Sequence, residues 1–247
     1  MSTTDPFAGV PAPLREAIVA RGFEKLTSVQ EAVLSSEGSG RNLRISSQTG
    51  SGKTLALGIR LASDLIPADD TSAVARGAEG PRVLLITPTR ELAVQVAGEL
   101  RWLFARIQGV AVEVVTGGSD IGRERRALSK APAVLVGTPG RLLDHMKSRR
   151  LNCSSFRQVV LDEADQMLDM GFRDELEAIL EFLPEDRCSH LVSATFPAVV
   201  KRLADRFQEN PLHVEGTRLG VANADIQHVA HRIRPRELNA AIINVLL

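Results

Sequence analysis

The chain has 247 residues, 44% of them hydrophobic, so it can bury a sizeable core in one large domain or two small ones. Its formal net charge of +0 at pH 7 excludes a general attraction to nucleic acid, and such binding would need local positive patches. The cysteines are Cys153 and Cys188 alone, which favours a reducing compartment. The first residues lack a signal-peptide pattern, and no apolar run approaches the roughly 20 residues that span a bilayer. We therefore expect a cytoplasmic protein with no membrane partner.

Short apolar runs alternate along the chain with stretches of helical periodicity. The runs predict strands over residues 43–47, 83–87, 112–116, 133–137, 158–162, 190–193 and 212–214. The helical stretches fall at 53–66, 90–107, 122–130, 141–147, 173–182 and 199–208. Several strands are almost continuously apolar, as expected of parallel strands that are buried on both faces. The alternation predicts an α/β fold, a mostly parallel twisted sheet of about seven strands with helices on both faces.

A polar segment at 68–80 predicts a mobile surface loop within the first part of the chain. The pattern changes after residue 216, where 220–223 predicts a linker, 226–233 a strand and 237–247 a helix. Because this helix ends on an apolar stretch, we expect residues 1–216 to form one domain and 217–247 to begin a second, truncated one. The alternative is a C-terminal helix that packs on the first domain.

Residues 46–54, Ser-Ser-Gln-Thr-Gly-Ser-Gly-Lys-Thr, have the pattern of a phosphate-binding loop between a strand and a helix. Glycines let backbone N–H groups approach phosphate oxygens, and the following helix presents its positive end. Lys53 would reach the β- and γ-phosphates, and the Thr54 hydroxyl would bind Mg²⁺. Ser47 replaces the first glycine of the strict pattern, and a glycine-rich loop without nucleotide is the alternative. The predicted nucleotide-binding residues here are Gln48, Thr49, Gly50, Ser51, Gly52, Lys53 and Thr54.

Three acidic residues in the tetrapeptide Asp162-Glu163-Ala164-Asp165 close the apolar run at 158–162. Asp162 stands where a carboxylate would hold the magnesium shell, and Glu163 is placed to orient or deprotonate the attacking water. Lys53, Asp162 and Glu163 are thus the catalytic candidates, and Thr54 and Asp162 the metal candidates, partly through water. The alternative is an acidic helix start that is favoured by the helix dipole.

Polar clusters follow six of the predicted strands, at 49–54, 88–92, 117–118, 138–141, 162–165 and 193–195. Open α/β sheets bind ligands outside the carboxyl ends of their strands, so these clusters should share one edge of the sheet. A nucleotide needs only some of them, which predicts a second ligand for the rest.

The second ligand is predicted to be a phosphate backbone that is bound without reading of its sequence. Helix N-termini, exposed amides and two arginines follow three of the strands. With aromatic residues at 4%, a stacking platform for bases is disfavoured. Ordinary helix caps are the alternative. The candidates are Pro88, Thr89, Arg90, Glu91, Gly117, Gly118, Thr138, Gly140 and Arg141.

The ordered motifs resemble the first RecA-like domain of DEAD-box RNA helicases over residues 7 to 214. They are Gln30, Ser-Gln-Thr-Gly-Ser-Gly-Lys-Thr, Pro-Thr-Arg-Glu-Leu-Ala, Gly-Gly, Thr-Pro-Gly-Arg, Asp-Glu-Ala-Asp and Ser-Ala-Thr, with Met-Leu-Asp-Met-Gly-Phe after the acidic box. The resemblance implies a RecA-like P-loop NTPase lobe of an ATP-dependent RNA helicase. It also implies Mg²⁺, ATP as substrate, RNA as partner, and a second RecA-like domain in the same protein.

The resemblance adds roles that the residues alone do not suggest. It implies that Phe23 stacks on adenine and that Gln30 hydrogen-bonds the adenine edge, with Lys25 and Thr27 in the same motif. Leu26 replaces a proline that is usual in the family. Further along, Asp165, Ser193 and Thr195 would couple nucleotide state to the RNA surface. A charged stretch at 122–126 replaces a region that often carries glutamine in the family.

We expect this chain to lack the arginine fingers that the family uses for hydrolysis. Residues 231–234, His-Arg-Ile-Arg, resemble the finger motif but come before a second sheet could form. Two alternatives follow: an isolated module that binds adenine nucleotide and RNA without turnover, and a DNA translocase-type ATPase. The five histidines lack metal-ligand spacing and are predicted to be structural, which leaves Mg²⁺ as the implied metal.

Overall fold

A parallel β-sheet of seven strands forms the centre of the protein, whose computed structural model describes residues 5–35, 40–47, 50–66, 80–215, 229 and 231–246. The strands are β1 (Leu43–Ser46), β2 (Val83–Ile86), β3 (Val112–Val115), β4 (Val134–Gly137), β5 (Gln158–Asp162), β6 (Cys188–Ser193) and β7 (Leu212–Glu215). Their order is β3-β4-β2-β5-β6-β1-β7, and every pairing is parallel. The predicted fold class is confirmed.

Helices cover both faces of this sheet. They are α1 (Ala12–Ala20), α2 (Ser28–Ser35), α3 (Lys53–Leu61), α4 (Arg90–Leu103), α5 (Ile121–Leu128), α6 (Pro139–Lys147), α7 (Ala164–Asp169), α8 (Arg173–Phe182), α9 (Ala198–Phe207) and α10 (Leu238–Leu246). Alternate residues of β2 point to opposite sides: Val83 and Leu85 join the core beneath α1 to α4, while Leu84 and Ile86 join the core beneath α6 to α9. This double burial explains why the strands are almost continuously apolar.

The predicted strands agree with the observed ones to within two residues at each end. Three helices, α1, α2 and α7, were not predicted, and α3 ends at Leu61 before a short 3₁₀ turn rather than continuing to residue 66. The α7 helix has only six residues, which is too short to show helical periodicity in the sequence. Most of the loop predicted at 68–80 lies outside the described residues.

One of the predicted structural histidines, His190 on β6, is completely buried. Its Nδ1 accepts a hydrogen bond from the Leu43 N–H at 3.2 Å, so Nε2 carries the proton and donates it to Gln158 Oε1 at 2.5 Å. Burial lowers the pKa of His190 to about 3, and the nearby positive charge of Arg60 acts in the same direction. The ring is therefore a neutral link between strands, and it is not a metal ligand here.

Residues 217–228 all lie outside the part that the structure describes. The strand predicted at 226–233 is wrong at its described residues, since Val229 and 231–233 are not in a strand. The predicted helix is present as α10, and its described side chains are exposed except that of Ala241, which is half-buried. Among the described residues, no helix has both the length and the apolar character required to cross a membrane.

Candidate functional site

The polar clusters that follow the strands lie along a single edge of the sheet, as predicted, because all seven strands run in the same direction. The central strands, β5, β2 and β4, carry the acidic box, the 88–92 cluster and the 138–141 cluster at their carboxyl ends. Next to them, β6 and β1 carry residues 193–195 and the phosphate-binding loop. Gln48 and Thr49, two predicted nucleotide contacts, fall outside the described residues.

The described part of the phosphate-binding loop has the backbone shape that its glycines permit. Gly50 and Gly52 have φ of +82° and +87°, a region that side chains with a Cβ rarely adopt. A Cβ on Gly52 would also lie 2.5 Å from Gln30 Nε2, so this position requires glycine for two reasons. Lys53 begins α3, and its side chain is buried with Nζ at 4.0 Å from Glu163 Oε1. The loop therefore brings an ammonium group next to the acidic box.

Gln30 joins the start of α2 to the phosphate-binding loop. Its Oε1 accepts from the Thr27 N–H at 2.9 Å, and its Nε2 donates to the Gly52 carbonyl at 3.2 Å. Thr27 adds a second link through its hydroxyl, which donates to the Ser51 carbonyl at 3.1 Å. Leu26, in place of the usual proline, is buried in the core. Since an amide has two donor hydrogens and two lone pairs, Gln30 can hold the loop and still bind an adenine edge.

Phe23 lies at the surface, in agreement with a ligand-stacking role rather than a core position, with 41% of the residue exposed. One face of its ring stacks on Trp102 of α4, with centroids 6.1 Å apart and planes at 16°. The Arg21 guanidinium covers the Trp102 ring at 4.9 Å. Sequence reasoning missed Trp102, although it is the single tryptophan of the chain. Lys25, the other predicted contact in this segment, is exposed.

Asp162 ends β5 in a site where water cannot reach its carboxylate. The residue is 3% exposed, and Oδ1 has no hydrogen-bond partner among the described residues. Burial raises the pKa of Asp162 to about 6, while the positive charge of Lys53 partly opposes this rise. Lys53 Nζ is likewise buried and lacks a hydrogen-bond partner within the described ranges. Two opposite charges held out of water, with Lys53 Nζ and Asp162 Oδ1 unpartnered among the described residues, indicate a site that binds a polar ligand.

Glu163 is the first residue after β5 and has a left-handed backbone, with φ 56° and ψ 52°. This conformation is uncommon for residues other than glycine and costs about 1–3 kcal/mol, and such strain is concentrated at functional sites. Its side chain is buried beside Lys53. The turn directs the chain from β5 into α7 and keeps both carboxylates at the edge of the sheet.

The residues around Asp162 fit a magnesium ion that takes most of its ligands from phosphates and water. Among the described residues, no group of three or more His, Cys, Asp or Glu side chains could enclose a metal by itself. Mg²⁺ keeps several waters and is bound in nucleotide sites through one or two protein oxygens. Thr54 and Asp162 provide that number, and the unpartnered Asp162 Oδ1 is available.

Asp165, Ser193 and Thr195 form a hydrogen-bonded group that joins α7 to the end of β6. Asp165 Oδ2 accepts from the Thr195 N–H at 3.0 Å and from the Thr195 hydroxyl at 2.8 Å. The Ser193 hydroxyl accepts from the Asp165 N–H at 3.3 Å and donates to the Thr195 carbonyl at 2.7 Å. Burial alone would raise the pKa of Asp165, but the hydrogen bonds from Thr195 and Ser193 outweigh it and lower that pKa. The predicted trio is therefore in direct contact.

A separate groove of about 530 Å³ lies farther along the same edge. It contains eight of the nine predicted backbone-binding residues, namely Pro88, Thr89, Arg90, Glu91, Gly117, Thr138, Gly140 and Arg141. Asp144, Met170 and Phe172 complete its walls. The ninth residue, Gly118, lies directly beneath Arg90: a Cβ there would come within 2.2 Å of Arg90 Nη1, and its φ is +80°. Segments that are far apart in sequence thus form one continuous surface.

Glu124 and His145 beside this groove were not predicted as functional, and His145 is among the histidines predicted to be structural. Glu124 Oε2 lies 2.8 Å from Arg141 Nη1 and 2.7 Å from His145 Nε2. The 122–126 stretch shows charge in the sequence, but nothing in it indicates which of its residues points inward.

Comparison with known proteins agrees with this geometry. A family model described as DEAD/DEAH box helicase matches residues 27–203, which is most of the chain. The chain belongs to the DEAD/DEAH box helicase family. It is 38% identical over 239 residues to the DEAD-box ATP-dependent RNA helicase CshA of Bacillus subtilis, covering 96% of this chain and 46% of that protein. It is 42% identical over 207 residues to the chloroplastic DEAD-box ATP-dependent RNA helicase 3A of Zea mays, covering 84% and 27%.

The fold of this DEAD/DEAH box chain is also similar to that of a solved structure. The crystal structure of a DEAD box protein from the hyperthermophile Methanococcus jannaschii aligns with a TM-score of 0.74 and 31% identity, over 96% of this chain and 61% of that one. This chain spans less than half the length of the two curated relatives.

Replacing Phe23 with Ala is expected to weaken ADP binding to this DEAD/DEAH box domain by about 5- to 150-fold, because base–aromatic stacking contributes about 1–3 kcal/mol. Isothermal titration of ADP would measure the change. Phe182→Ala is the matched control, since Phe182 is exposed to a similar degree, 39%, at the end of α8. Equal ADP affinity for the Phe23 and Phe182 variants would contradict an adenine-stacking role.

Proposed function

We propose that this chain is the nucleotide-binding lobe of an ATP-dependent RNA helicase that couples Mg-ATP binding and hydrolysis to RNA-backbone binding and duplex unwinding. The observation that carries this proposal is the pair Lys53 and Asp162. Both are buried and charged, and Lys53 Nζ and Asp162 Oδ1 lack hydrogen-bond partners among the described residues. A nucleotide phosphate with its magnesium ion would supply a partner to each.

In the proposed nucleotide site, backbone N–H groups around Gly50 and Gly52 approach the phosphates, and Lys53 Nζ binds the terminal ones. Thr54 and Asp162 hold Mg²⁺, partly through water. Held there, the ion would supply positive charge next to the phosphate oxygens. Glu163, fixed by its turn after β5, orients the attacking water and accepts its proton.

The proposed coupling runs through Asp165. Because Asp165 lies in the first turn of α7, three residues after Asp162, and binds Thr195, a shift of the acidic box on nucleotide binding would move the end of β6 as well. The hydrogen bonds of this trio support that route, since they join the nucleotide edge to the segment after β6. A change at one site then alters the surface that the second RecA-like domain would contact.

The proposed RNA site is the groove lined by the 88–91, 117 and 138–141 segments. Arg90, Arg141 and the amino ends of α4 and α6 supply positive charge and N–H donors, which suit phosphates rather than base edges. The groove has no base-reading arrangement of side chains among its lining residues. Binding that does not depend on RNA sequence is therefore part of the proposal.

A second candidate is a binding module without turnover, which is favoured because the chain spans only part of its relatives. An arginine finger contributes about 10³–10⁵ in rate, and in our interpretation the fingers belong to the second RecA-like domain. A DNA translocase-type ATPase is a weaker candidate, because the Asp-Glu-Ala-Asp box at 162–165 and Gln30 resemble those of RNA helicases. The free thiols of Cys153 and Cys188 support a cytoplasmic location as part of the same proposal.

The test is Mg-ATP turnover by this chain, and by a longer protein that includes the second domain, with and without single-stranded RNA. We expect near-background hydrolysis for residues 1–247 and RNA-stimulated hydrolysis for the longer protein. Stimulation by duplex DNA in preference to RNA would support the translocase. A longer protein that hydrolyses no ATP with any RNA would contradict the proposed function.

A further inference from the structure

One buried carboxylate, that of Glu124 on α5, joins the turn after β3 to helix α6. The residue is 5% exposed. Its Oε1 accepts from the Thr116 N–H at 3.0 Å and from the Ser119 hydroxyl. Its Oε2 accepts from Arg141 Nη1 at 2.8 Å and from His145 Nε2 at 2.7 Å. Two oxygens thus bind four donors, which is the full capacity of a carboxylate.

The four donors surround Glu124 with groups that favour its ionised form. Burial by itself would raise the pKa of Glu124, but the hydrogen bonds from Ser119, His145 and Thr116 and the charge of Arg141 outweigh it and lower that pKa. Because an ionised carboxylate only accepts hydrogen bonds, His145 Nε2 must carry a proton. A buried ion of this kind is retained only where its partners are well placed, and removal of its charge leaves them unpaired.

Of the four groups that Glu124 binds, Arg141 lines the groove, and Thr116 and Ser119 lie on either side of Gly117, which also lines it. Ser119 directly follows Gly117 and Gly118, and its carbonyl accepts from Arg141 Nη2 at 3.5 Å. The Arg141 side chain lines the groove but is only 12% exposed, so it is held against the wall instead of extending into water. An arginine side chain loses about 2 kcal/mol of rotamer entropy when it is fixed. Because Arg141 is already fixed in the free protein, ligand binding does not incur this loss again.

We propose that Glu124 is a positioning residue for RNA binding, which acts by holding the Arg141 guanidinium at a fixed place in the groove wall. The proposal rests on the proposed RNA site. It assigns a role to a residue that cannot itself reach a phosphate, because its carboxylate is buried and already binds four donors.

The charge of Glu124 would affect RNA binding in the direction opposite to positioning, so the sign of the change in RNA affinity tests the proposal. Its negative charge neutralises Arg141 and would weaken the attraction of the groove for phosphate. If neutralisation were its main effect, Glu124→Gln would strengthen RNA binding. If positioning dominates, the same change weakens RNA binding, because a glutamine has one acceptor oxygen and leaves at least one of the four donors unpaired even if His145 changes tautomer.

The experiment measures binding of a fluorescent single-stranded RNA to this chain by anisotropy at low salt. Glu124→Gln is expected to bind RNA about tenfold more weakly, the effect of one charge-assisted hydrogen bond, with unchanged ADP affinity. Asp144→Asn is the matched control: Asp144 lines the same groove on α6, is exposed, and loses the same single charge. The control variant is expected to bind RNA more tightly, by about two- to threefold.

A double-mutant cycle distinguishes positioning from general structural damage. In an Arg141→Ala background, Glu124→Gln should cause no further loss of RNA affinity. Tighter or unchanged RNA binding by Glu124→Gln would overturn the proposal, as would an undiminished loss in the Arg141→Ala background. Absence of RNA binding by the unaltered chain would overturn the proposed RNA site together with this role.

Arg141→Lys decides the question if Glu124→Gln fails to fold. Lysine keeps the positive charge but lacks the planar fork that meets both Glu124 and the Ser119 carbonyl. We expect this variant to bind RNA about as weakly as Arg141→Ala. Full RNA affinity in Arg141→Lys would show that charge alone matters and would overturn the proposal.

Discussion

Glu163→Gln is expected to lower RNA-stimulated ATP hydrolysis by about 10²–10⁴-fold in a protein that carries this chain with the second RecA-like domain, because general acid–base catalysis contributes factors of that size. Glutamine has the same length and can occupy the same turn, so the geometry after β5 should persist. What it lacks is a carboxylate that can accept a proton from water. Steady-state turnover at saturating ATP and RNA would measure the change.

The structural reason for singling out Glu163 is its position rather than its acidity. The left-handed backbone at φ 56° directs it from the end of β5 to within 4.0 Å of Lys53 Nζ, the group that would bind the terminal phosphates. Such a conformation is stable only where the surrounding structure enforces it. A carboxylate held beside the ammonium that we propose for phosphate binding is well placed to accept a proton from the attacking water.

Glu99→Gln is the control for loss of a nearby negative charge. The Glu99 carboxylate on α4 also raises the pKa of Asp162 through its charge, but it lies outside the acidic box. Turnover by this variant should stay within about twofold of the unaltered protein, since charges that act only from a distance contribute little. If both substitutions lowered turnover equally, local charge and not proton transfer would explain the effect. Retained turnover in Glu163→Gln would assign the water to another group.

The sequence predicted the sheet and its functional edge because each depends on local patterns. Apolar runs such as 158–162 mark buried parallel strands, and the polar residues directly after them must lie at the carboxyl edge once the strands are parallel. The 88–91 and 138–141 segments could therefore be assigned to one surface from the order of their residues alone, and the groove contains both. Their binding of RNA remains a prediction.

Contacts that depend on how helices face one another could not be predicted. Glu124 lies 17 residues from Arg141 and 21 from His145, and only the register of α5 against α6 brings them together. The Phe23–Trp102 stack likewise depends on where the segment before α2 crosses α4. Sequence periodicity gives the buried face of each helix, but it does not give the partner that this face meets.

Asp162→Asn and Asp165→Asn are expected to change the free energy of unfolding in opposite directions in the absence of ligand. Burial raises the pKa of Asp162 to about 6, so the folded protein keeps this carboxylate ionised at neutral pH at a cost of about 3 kcal/mol relative to its ordinary value. Asparagine removes that cost. Asp165→Asn instead loses part of the hydrogen bonding with Thr195 and is expected to destabilise the protein by about 1–2 kcal/mol.

The pH dependence of the free energy of unfolding shows whether the charge of each carboxylate causes the change in stability. A group whose pKa is raised on folding contributes stability below its ordinary pKa, and that stability is lost as pH rises through the folded value. Since the folded pKa of Asp162 is about 6, the advantage of Asp162→Asn should be complete above this pH, fall to about half at pH 5 and become small near pH 4. For Asp165, whose pKa is lowered, the stabilisation is present at neutral pH and lost on acidification.

Thermal unfolding of the two variants and the unaltered chain at pH 7.5 and pH 5 would measure both effects. At pH 7.5 the unfolding midpoint of Asp162→Asn should rise by about 6–12 °C, because 1 kcal/mol corresponds to about 2–4 °C for a chain of this size. The further rise on addition of Mg-ADP, which the unaltered chain should show by mass action, should be lost in this variant. A lower midpoint for Asp162→Asn at pH 7.5 would mean that its carboxylate is stabilised without ligand, and the unpartnered charge could not then be the signature of a magnesium nucleotide site.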